Sequence, residues 1–120
     1  MSFGGFEKLS TCCVLGLGYI GLPTAAVLAR VGHRVIGVDV SPQVVATVNQ
    51  GRIHIVEPDL EEAVADAVSS GSLSAQLTPV KADVFLIAVP TPFRTGSDGI
   101  PQPNIVYVLS AARAIASVLR

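Results

Sequence analysis

Three glycines spaced as G-x-G-x-x-G limit what this chain can fold into more than any other feature of its sequence. They are Gly16, Gly18 and Gly21. A short apolar run, Cys12 to Leu15, precedes them, a helical pattern from about Ile20 to Arg30 follows, and a second apolar run covers Val35 to Val40. The simplest interpretation is strand, helix, strand, with the glycines at the turn into the helix.

The middle of the chain is predicted to contain two helices. Ser41 can cap the first, with Pro42 in its first position and Gly51 at its end. After a connection, Asp59 can cap the second, and Gly71 stands where a left-handed residue would end it. The second helix has one apolar stripe, which consists of Leu60, Ala63, Val64, Ala67 and Val68.

The last part of the chain is predicted to contain two strands, a loop and a helix. Ser74 to Leu77 is a weak strand, whereas Val84 to Val89 has the continuous apolar character of a strand buried on both faces. Pro90 to Pro103 is rich in proline and is expected to be a surface loop. Asn104 can cap a final helix. Its apolar face would consist of Val108, Ala112, Ile115 and Leu119.

Strands that alternate with helices of crossover length form parallel sheets with right-handed connections. The predicted fold class is therefore α/β. We expect a Rossmann-type parallel sheet in the order 3-2-1-4 with flanking helices, truncated before a fifth strand. Residues 1–120 would form one incomplete domain.

In this context the glycine spacing points to a dinucleotide site. Such a site calls for an acidic residue about 20 residues further on, and Asp39 stands 18 residues after Gly21. Gly16 would permit the turn, Gly18 would leave room for a pyrophosphate, and Gly21 would let the helix pack closely on the strand. Asp39 would accept hydrogen bonds from the adenosine ribose and repel a 2′-phosphate, which favours NAD over NADP. The alternative is that the glycines only serve a turn and that Asp39 caps a strand end.

Charge and residue type argue against several other kinds of site. The chain has 8 basic and 9 acidic residues, and they are spread along it, which argues against a nucleic acid partner. Asp59, Glu61 and Glu62 form an acidic cluster, which the dipole at a helix start explains. His33 and His54 have no partners at metal-ligand spacing, so neither is a site candidate and no metal is expected.

The cysteines and the apolar composition bear on the cellular setting. Cys12 and Cys13 are adjacent on a predicted buried strand, where thiols are unreactive, and a reducing, cytoplasmic setting fits them best. Cys12 to Ala29 carries no charge, which could indicate a signal peptide or a membrane span, but its three glycines and Pro23 argue against both. With 50% hydrophobic and 14% charged residues, some surface should meet missing chain, a second subunit or a membrane.

Three blocks of sequence resemble the nucleotide-sugar 6-dehydrogenases, the UDP-glucose/GDP-mannose dehydrogenase family. They are Val14 to Pro23 (VLGLGYIGLP), Ile53 to Leu60 (IHIVEPDL) and Leu86 to Phe93 (LIAVPTPF). The last two are most similar to members that oxidise UDP-N-acetyl-D-mannosamine. The resemblance implies that a sugar 6-hydroxyl becomes a carboxylate while two NAD are reduced, through a cysteine-bound thiohemiacetal and thioester. The product would be a UDP-linked uronic acid for surface polysaccharide.

The resemblance also assigns residues. Tyr19 and Ile20 would contact the cofactor at the glycine turn, Asp39 the ribose, and Thr91 the cofactor after the fourth strand. The family's catalytic cysteine and lysine and its sugar-nucleotide pocket have no counterpart here, and neither Cys12 nor Cys13 matches that cysteine. We therefore expect no catalytic residue in this chain and an expressed fragment without activity of its own.

Other functions remain open at this point. The parent could be a UDP-glucose 6-dehydrogenase, or the chain could be a stand-alone dinucleotide-binding module without catalysis. A different NAD-dependent dehydrogenase would explain the glycine turn but leave the other two blocks as coincidence. For the full-length protein we expect a UDP-sugar substrate, no membrane association, and a homodimer or higher oligomer.

Overall fold

A computed structural model describes residues 10–90, 93–95, 99, 101–103 and 105–119 of the chain. The strands are β1 (Thr11–Leu15), β2 (Arg34–Val38), β3 (Leu73–Gln76), β4 (Val84–Ile87), β5 (Phe93–Thr95) and β6 (Pro101–Pro103). The helices are α1 (Gly21–Val31), α2 (Pro42–Asn49), α3 (Leu60–Ser69) and α4 (Val106–Ala116).

The main sheet has four parallel strands in the order β3-β2-β1-β4, which confirms the predicted order and the α/β class. Val14 on β1 lies opposite Gly37 on β2 and Leu86 on β4. Because all four strands run in the same direction, their carboxyl ends share one edge of the sheet. Ligands of doubly wound sheets bind at that edge.

Alternate residues of β1 point to opposite faces of the sheet, and each face has its own core. Cys12 and Val14 belong to the core covered by α1, α2 and α3. Cys13 and Leu15 belong to a smaller core, against which Ile115 of α4 packs. Helices on both faces make the sheet the middle of three layers, as a parallel sheet requires. The stripe predicted for α3 is confirmed, since all five of its residues lie in or against the larger core.

The local signals at helix ends are largely confirmed. The Ser41 hydroxyl accepts a hydrogen bond from the amide of Val44 at 3.3 Å, and Gly51 and Gly71 follow their helices with left-handed φ values of 74° and 82°. The prediction for Asp59 is wrong in part. It occupies the N-cap position of α3, but its side chain makes no capping hydrogen bond. Its φ is 62°, whereas a capping residue is normally extended so that its side chain can reach back to the first turn.

The prediction that Val84 to Val89 is buried on both faces is wrong. The strand ends at Ile87, and Val84 and Ile87 are each 41% exposed. Within the described part of the chain β4 is an edge strand, because only β1 pairs with it. Its apolar sequence resembles that of a central strand, but no described neighbour covers its outer edge.

At the opposite edge of the sheet, one side chain pairs with the backbone of one residue of β3. Ala75 on β3 turns its peptide groups away from β2, and the carboxamide of Asn49 pairs with both of them. Its Nδ2 donates to the carbonyl of Ala75 at 2.9 Å, and its Oδ1 accepts from the amide of Ala75 at 2.8 Å. Asn49 thus acts as one residue of a further strand, which is one way to protect a sheet edge.

The segment from Pro90 to Pro103 is not entirely a loop. Its described parts include β5 and β6, which pair antiparallel with Arg94 opposite Gln102. Prolines fit such a two-stranded ribbon because, among the residues that the structure describes, each of its strands has one edge without a partner strand. Asn104, the predicted cap of the last helix, lies outside the described residues, and the structure places Ile105 in the capping position of α4.

The face predicted for α4 is wrong in part. Ile115 is buried as expected, but its buried partner is Ala111, whereas Ala112 and Leu119 are exposed. Alanine follows alanine at this point, so two adjacent faces of the helix are nearly equally apolar. Leu119 lies beyond the last helical residue, where the helical period no longer applies.

The uncharged stretch from Cys12 to Ala29 consists of β1, the glycine turn and most of α1. Among the described residues no helix combines the length and the apolarity that a membrane crossing requires.

Candidate functional site

A cleft of about 760 Å³ opens at the carboxyl edge of the main sheet. The segments that follow all four strands contribute to it, among them Gly16 after β1, Asp39 after β2, Leu77 after β3 and Ala88 after β4. One side of α4, including Tyr107, lines it as well. The structure therefore brings the glycine motif and the acidic residue of the second strand into one concave site.

Gly16 holds the turn in a conformation that other residues rarely adopt. Its φ is +98°, and a Cβ atom at this position would lie 2.5 Å from the carbonyl oxygen of Ala88. Its amide donates to the carbonyl of Val38 at 2.7 Å, which ties the turn to the end of β2. The close approach of three chain segments explains why the motif begins with glycine.

Gly18 and Gly21 meet very different surroundings. A Cβ atom on Gly18 would have no atom within 4 Å, so the space above it is open. A Cβ atom on Gly21 would overlap the carbonyl oxygen of Gly16. The roles predicted for the turn and for close packing thus have a direct geometric counterpart at Gly16 and Gly21, and Gly18 borders free space.

The start of α1 faces this free space. The helix begins at Gly21 with no side-chain cap and no acidic residue in its first turn. Tyr19 and Ile20, which precede it, line the cleft and are 64% and 72% exposed. The amide of Leu22 already donates to the carbonyl of Gly18 at 3.0 Å, and Pro23 has no amide hydrogen, so this helix start suits an anionic ligand mainly through the positive end of its dipole.

Asp39 lies at the rim of the cleft, and both of its carboxylate oxygens accept hydrogen bonds from the backbone. Oδ2 accepts from the amide of Leu17 at 3.0 Å, and Oδ1 from the amide of Ser41 at 3.0 Å. An ionised carboxylate has about four acceptor positions, so about two remain for a ligand. The carboxylate is thereby held in place before any ligand arrives.

Sequence reasoning missed His54 as a cleft residue. Its side chain is exposed and lines the cleft, while Ile53 packs against the larger core and Ile55 is buried in it. This alternation of apolar and polar residues is visible in the sequence and indicates that His54 points away from the core. His33, by contrast, accepts a hydrogen bond from the amide of Ser10 at 3.2 Å and lies outside the cleft. Thr91 lies outside the described residues.

The other polar clusters lie away from this cleft. Asp59 and Glu62 line a second groove of about 510 Å³ with Arg30 of α1, and no residue of the glycine motif reaches it. No group of three or more metal-binding side chains occurs in the part of the chain that the structure describes.

Cys12 and Cys13 are free and buried on β1. Burial raises the pKa of both thiols above its ordinary value, and the negative charge of Asp83 adds to the effect at Cys12. A raised pKa leaves little of the reactive thiolate, so neither thiol is suited to act as a nucleophile.

Comparison with known proteins places this site in a family. Residues 10–120 match the family model described as the NAD-binding domain of the UDP-glucose/GDP-mannose dehydrogenase family. UDP-N-acetyl-D-mannosamine dehydrogenase of Escherichia coli K12 is 56% identical over 113 residues, or 94% of this chain and 26% of that protein. NDP-N-acetyl-D-galactosaminuronic acid dehydrogenase of Ralstonia nicotianae is 58% identical over 110 residues, or 92% of this chain and 25% of that protein.

Solved structures agree with these sequence relationships. UDP-N-acetyl-mannosamine dehydrogenase of Staphylococcus aureus superposes with a TM-score of 0.85 at 41% identity, over 92% of this chain and 26% of that one. UDP-glucose dehydrogenase of Pyrobaculum islandicum gives a TM-score of 0.78 at 40% identity, over 92% of this chain and 26% of that one. The chain spans about a quarter of the length of the curated relatives that it matches. With its glycine turn, its acidic residue after β2 and a family match over residues 10–120, the chain belongs to the UDP-glucose/GDP-mannose dehydrogenase family, as its NAD-binding domain.

Proposed function

We propose that the cleft at the carboxyl edge of the sheet binds NAD through Gly16, Gly18, Tyr19, Ile20, Gly21 and Asp39, and that Thr91 also contacts the cofactor. The observation that carries this proposal is the position of the Asp39 carboxylate, which is fixed by the amides of Leu17 and Ser41 beside the open space above Gly18. A dinucleotide needs both features, an acceptor for its ribose and room for its phosphates against backbone.

Different residues of the cleft would bind different parts of the dinucleotide. The pyrophosphate would lie above Gly18 at the start of α1, where the positive end of the helix dipole offsets its charge. The remaining acceptor positions of Asp39 would take the ribose hydroxyls. Val40 and Leu77 line the same cleft and are 87% and 48% exposed, so they offer an apolar surface for the adenine ring. Bound NAD would supply the hydride acceptor for an oxidation.

The proposed parent reaction is the oxidation of UDP-N-acetyl-D-mannosamine to UDP-N-acetyl-D-mannosaminuronate by a cytoplasmic enzyme, a homodimer or higher oligomer when full length. The name and the 56% identity of the Escherichia coli relative support this substrate over UDP-glucose. The 58% identical Ralstonia relative supports a second candidate, another nucleotide-linked N-acetylhexosamine. Catalytic groups would come from outside residues 1–120, because the only thiols here are buried in β1.

The first prediction tests the role of Asp39 in choosing the cofactor. We expect NAD to bind at least about tenfold more tightly than NADP, because like charges a few ångströms apart cost on the order of a few kcal/mol before screening by solvent. Isothermal titration calorimetry of the complete gene product with each dinucleotide measures the ratio of the two dissociation constants. Equal affinities would remove the role given to Asp39, and the absence of any NAD binding by the complete gene product would overturn the proposed function.

The second prediction separates binding from catalysis. The 120-residue chain is expected to produce no NADH with UDP-N-acetyl-D-mannosamine or UDP-glucose, whereas the complete gene product should oxidise the former. Absorbance of NADH at saturating NAD gives the rate, and alkylation of Cys12 and Cys13 in unfolded chain checks that both thiols were intact. Measurable turnover by the 120-residue chain would mean that a catalytic group lies among residues assigned here to structure.

A further inference from the structure

A notch in β2 receives the side chain of Leu17, the residue between the first two glycines of the motif. The notch lies at Gly37, which pairs with Val14 of β1 and Ala75 of β3 in the middle of the sheet. A Cβ atom on Gly37 would lie 2.8 and 2.9 Å from the two Cδ atoms of Leu17. Leu17 has no exposed surface. Its side chain therefore fills the space that any larger residue at position 37 would need.

The backbone of Leu17 is held from the same strand end. Its amide donates to Oδ2 of Asp39 at 3.0 Å, and the neighbouring amide of Gly16 donates to the carbonyl of Val38 at 2.7 Å. Because consecutive Cα atoms are about 3.8 Å apart, a shift of Leu17 displaces Gly18 as well. The free space above Gly18 thus depends on a residue that is itself buried beneath the turn.

We propose that Gly37 and Leu17 form a lock that positions the glycine turn for the dinucleotide, and that Asp39 has a second task as a backbone anchor of that turn. The inference rests on the proposed function, since it assumes that a dinucleotide binds in this cleft. Gly37 is a positioning residue here, because it acts through Leu17 and does not line the cleft. Asp39 would hold Leu17 and Ser41 whether or not a ribose is present.

The lock also limits how cofactor preference can be changed. A substitution that removes the Asp39 carboxylate to admit a 2′-phosphate leaves the amides of Leu17 and Ser41 without their acceptor. The same substitution would therefore relieve the repulsion of the 2′-phosphate and remove an anchor of the glycine turn. We therefore expect such variants to lose affinity for NAD without a matching gain for NADP.

The test uses the complete gene product and four variants. Gly37→Ala is expected to weaken NAD binding at least about tenfold, as measured by calorimetry below the melting temperature. Val64→Ala is the matched control, since Val64 of α3 is fully buried in the same core but does not line the cleft. It should lower the melting temperature and leave NAD affinity within about twofold. Leu17→Val in the Gly37→Ala background removes the overlapping Cδ atoms and should restore most of the affinity.

Asp39→Ala separates anchoring from ribose recognition. Its affinity is compared with that of the unsubstituted protein for a form of NAD that lacks the 2′ and 3′ hydroxyls of the adenosine ribose. If Asp39 anchors the turn, a loss of about tenfold persists with this analogue. If Asp39 acts only on the ribose, the loss disappears and the second half of the proposal is wrong.

Each remaining outcome also decides the question. Unchanged NAD affinity in Gly37→Ala, or a loss equal to that of Val64→Ala, would reduce the notch to ordinary packing and overturn the lock. If Gly37→Ala does not fold, Leu17→Ala takes its place, because it empties the notch without overlap and should still weaken NAD binding. Failure of the unsubstituted protein to bind NAD would contradict the proposed function instead, so the two failures are distinguishable.

Discussion

Replacing Gly18 with valine is expected to abolish detectable NAD binding while the fold remains intact. A Cβ atom at this position meets no atom within 4 Å, so the added side chain starts in open space and should leave the fold intact. The same side chain would occupy the space above the turn in which the pyrophosphate is proposed to lie. We expect a loss of at least about 100-fold in affinity, which corresponds to roughly 2.7 kcal/mol.

Calorimetry measures the affinity of the Gly18→Val variant, and circular dichroism with thermal unfolding measures its stability. Ala46→Val is the matched control, because Ala46 is exposed on α2 and does not line the cleft. It adds the same kind of branched side chain and should bind NAD as the unsubstituted chain does. Retained affinity in Gly18→Val with an unchanged spectrum would sink the assignment of the glycine turn to the pyrophosphate.

Features that depend on neighbours within a few residues could be predicted from the sequence. Ser41 caps α2, and Gly51 and Gly71 end their helices, because each of these interactions lies within one helical turn. The order of the four strands followed from the Rossmann-type arrangement expected for this glycine motif and is confirmed. Asp59 shows the limit of this reasoning, since its left-handed backbone removes the capping contact that its residue type suggests.

Features set by tertiary neighbours could not be predicted in the same way. The apolar sequence of β4 indicates a buried strand, but burial depends on what lies beside it, and its outer edge has no described partner. On α4 the sequence offers two nearly equivalent apolar faces, and only packing against the sheet decides between Ala111 and Ala112. In both cases burial depends on a tertiary contact that the residue pattern does not specify.

The candidate site follows the same division. The glycine spacing and Asp39 were visible in the sequence, because the motif is local and the acidic residue stands at a set distance from it. The hydrogen bond from Leu17 to Asp39 and the notch at Gly37 join residues about 20 positions apart, and no residue pattern indicates them. The position of His54 in the cleft could have been predicted, since His54 alternates with two isoleucines that pack on the core.

Replacing Gly16 with alanine is expected to lower the free energy of unfolding by roughly 2 to 5 kcal/mol. Two costs add at this position. A φ of +98° is unfavourable for alanine by about 1–2 kcal/mol. Its Cβ atom would also lie 2.5 Å from the carbonyl oxygen of Ala88, and relieving such an overlap of backbone costs about 1–3 kcal/mol or more.

Gly71→Ala isolates the first cost. Gly71 has a similar φ of +82°, but a Cβ atom there would have nothing within 4 Å, so only the backbone conformation is penalised. Denaturant unfolding of both variants should therefore show a loss of about 1–2 kcal/mol for Gly71→Ala and about twice that or more for Gly16→Ala. The difference between them measures how tightly the end of β4 presses on the glycine turn. Equal losses would mean that Ala88 moves aside at little cost, and that the first glycine of the motif is required for its backbone conformation alone.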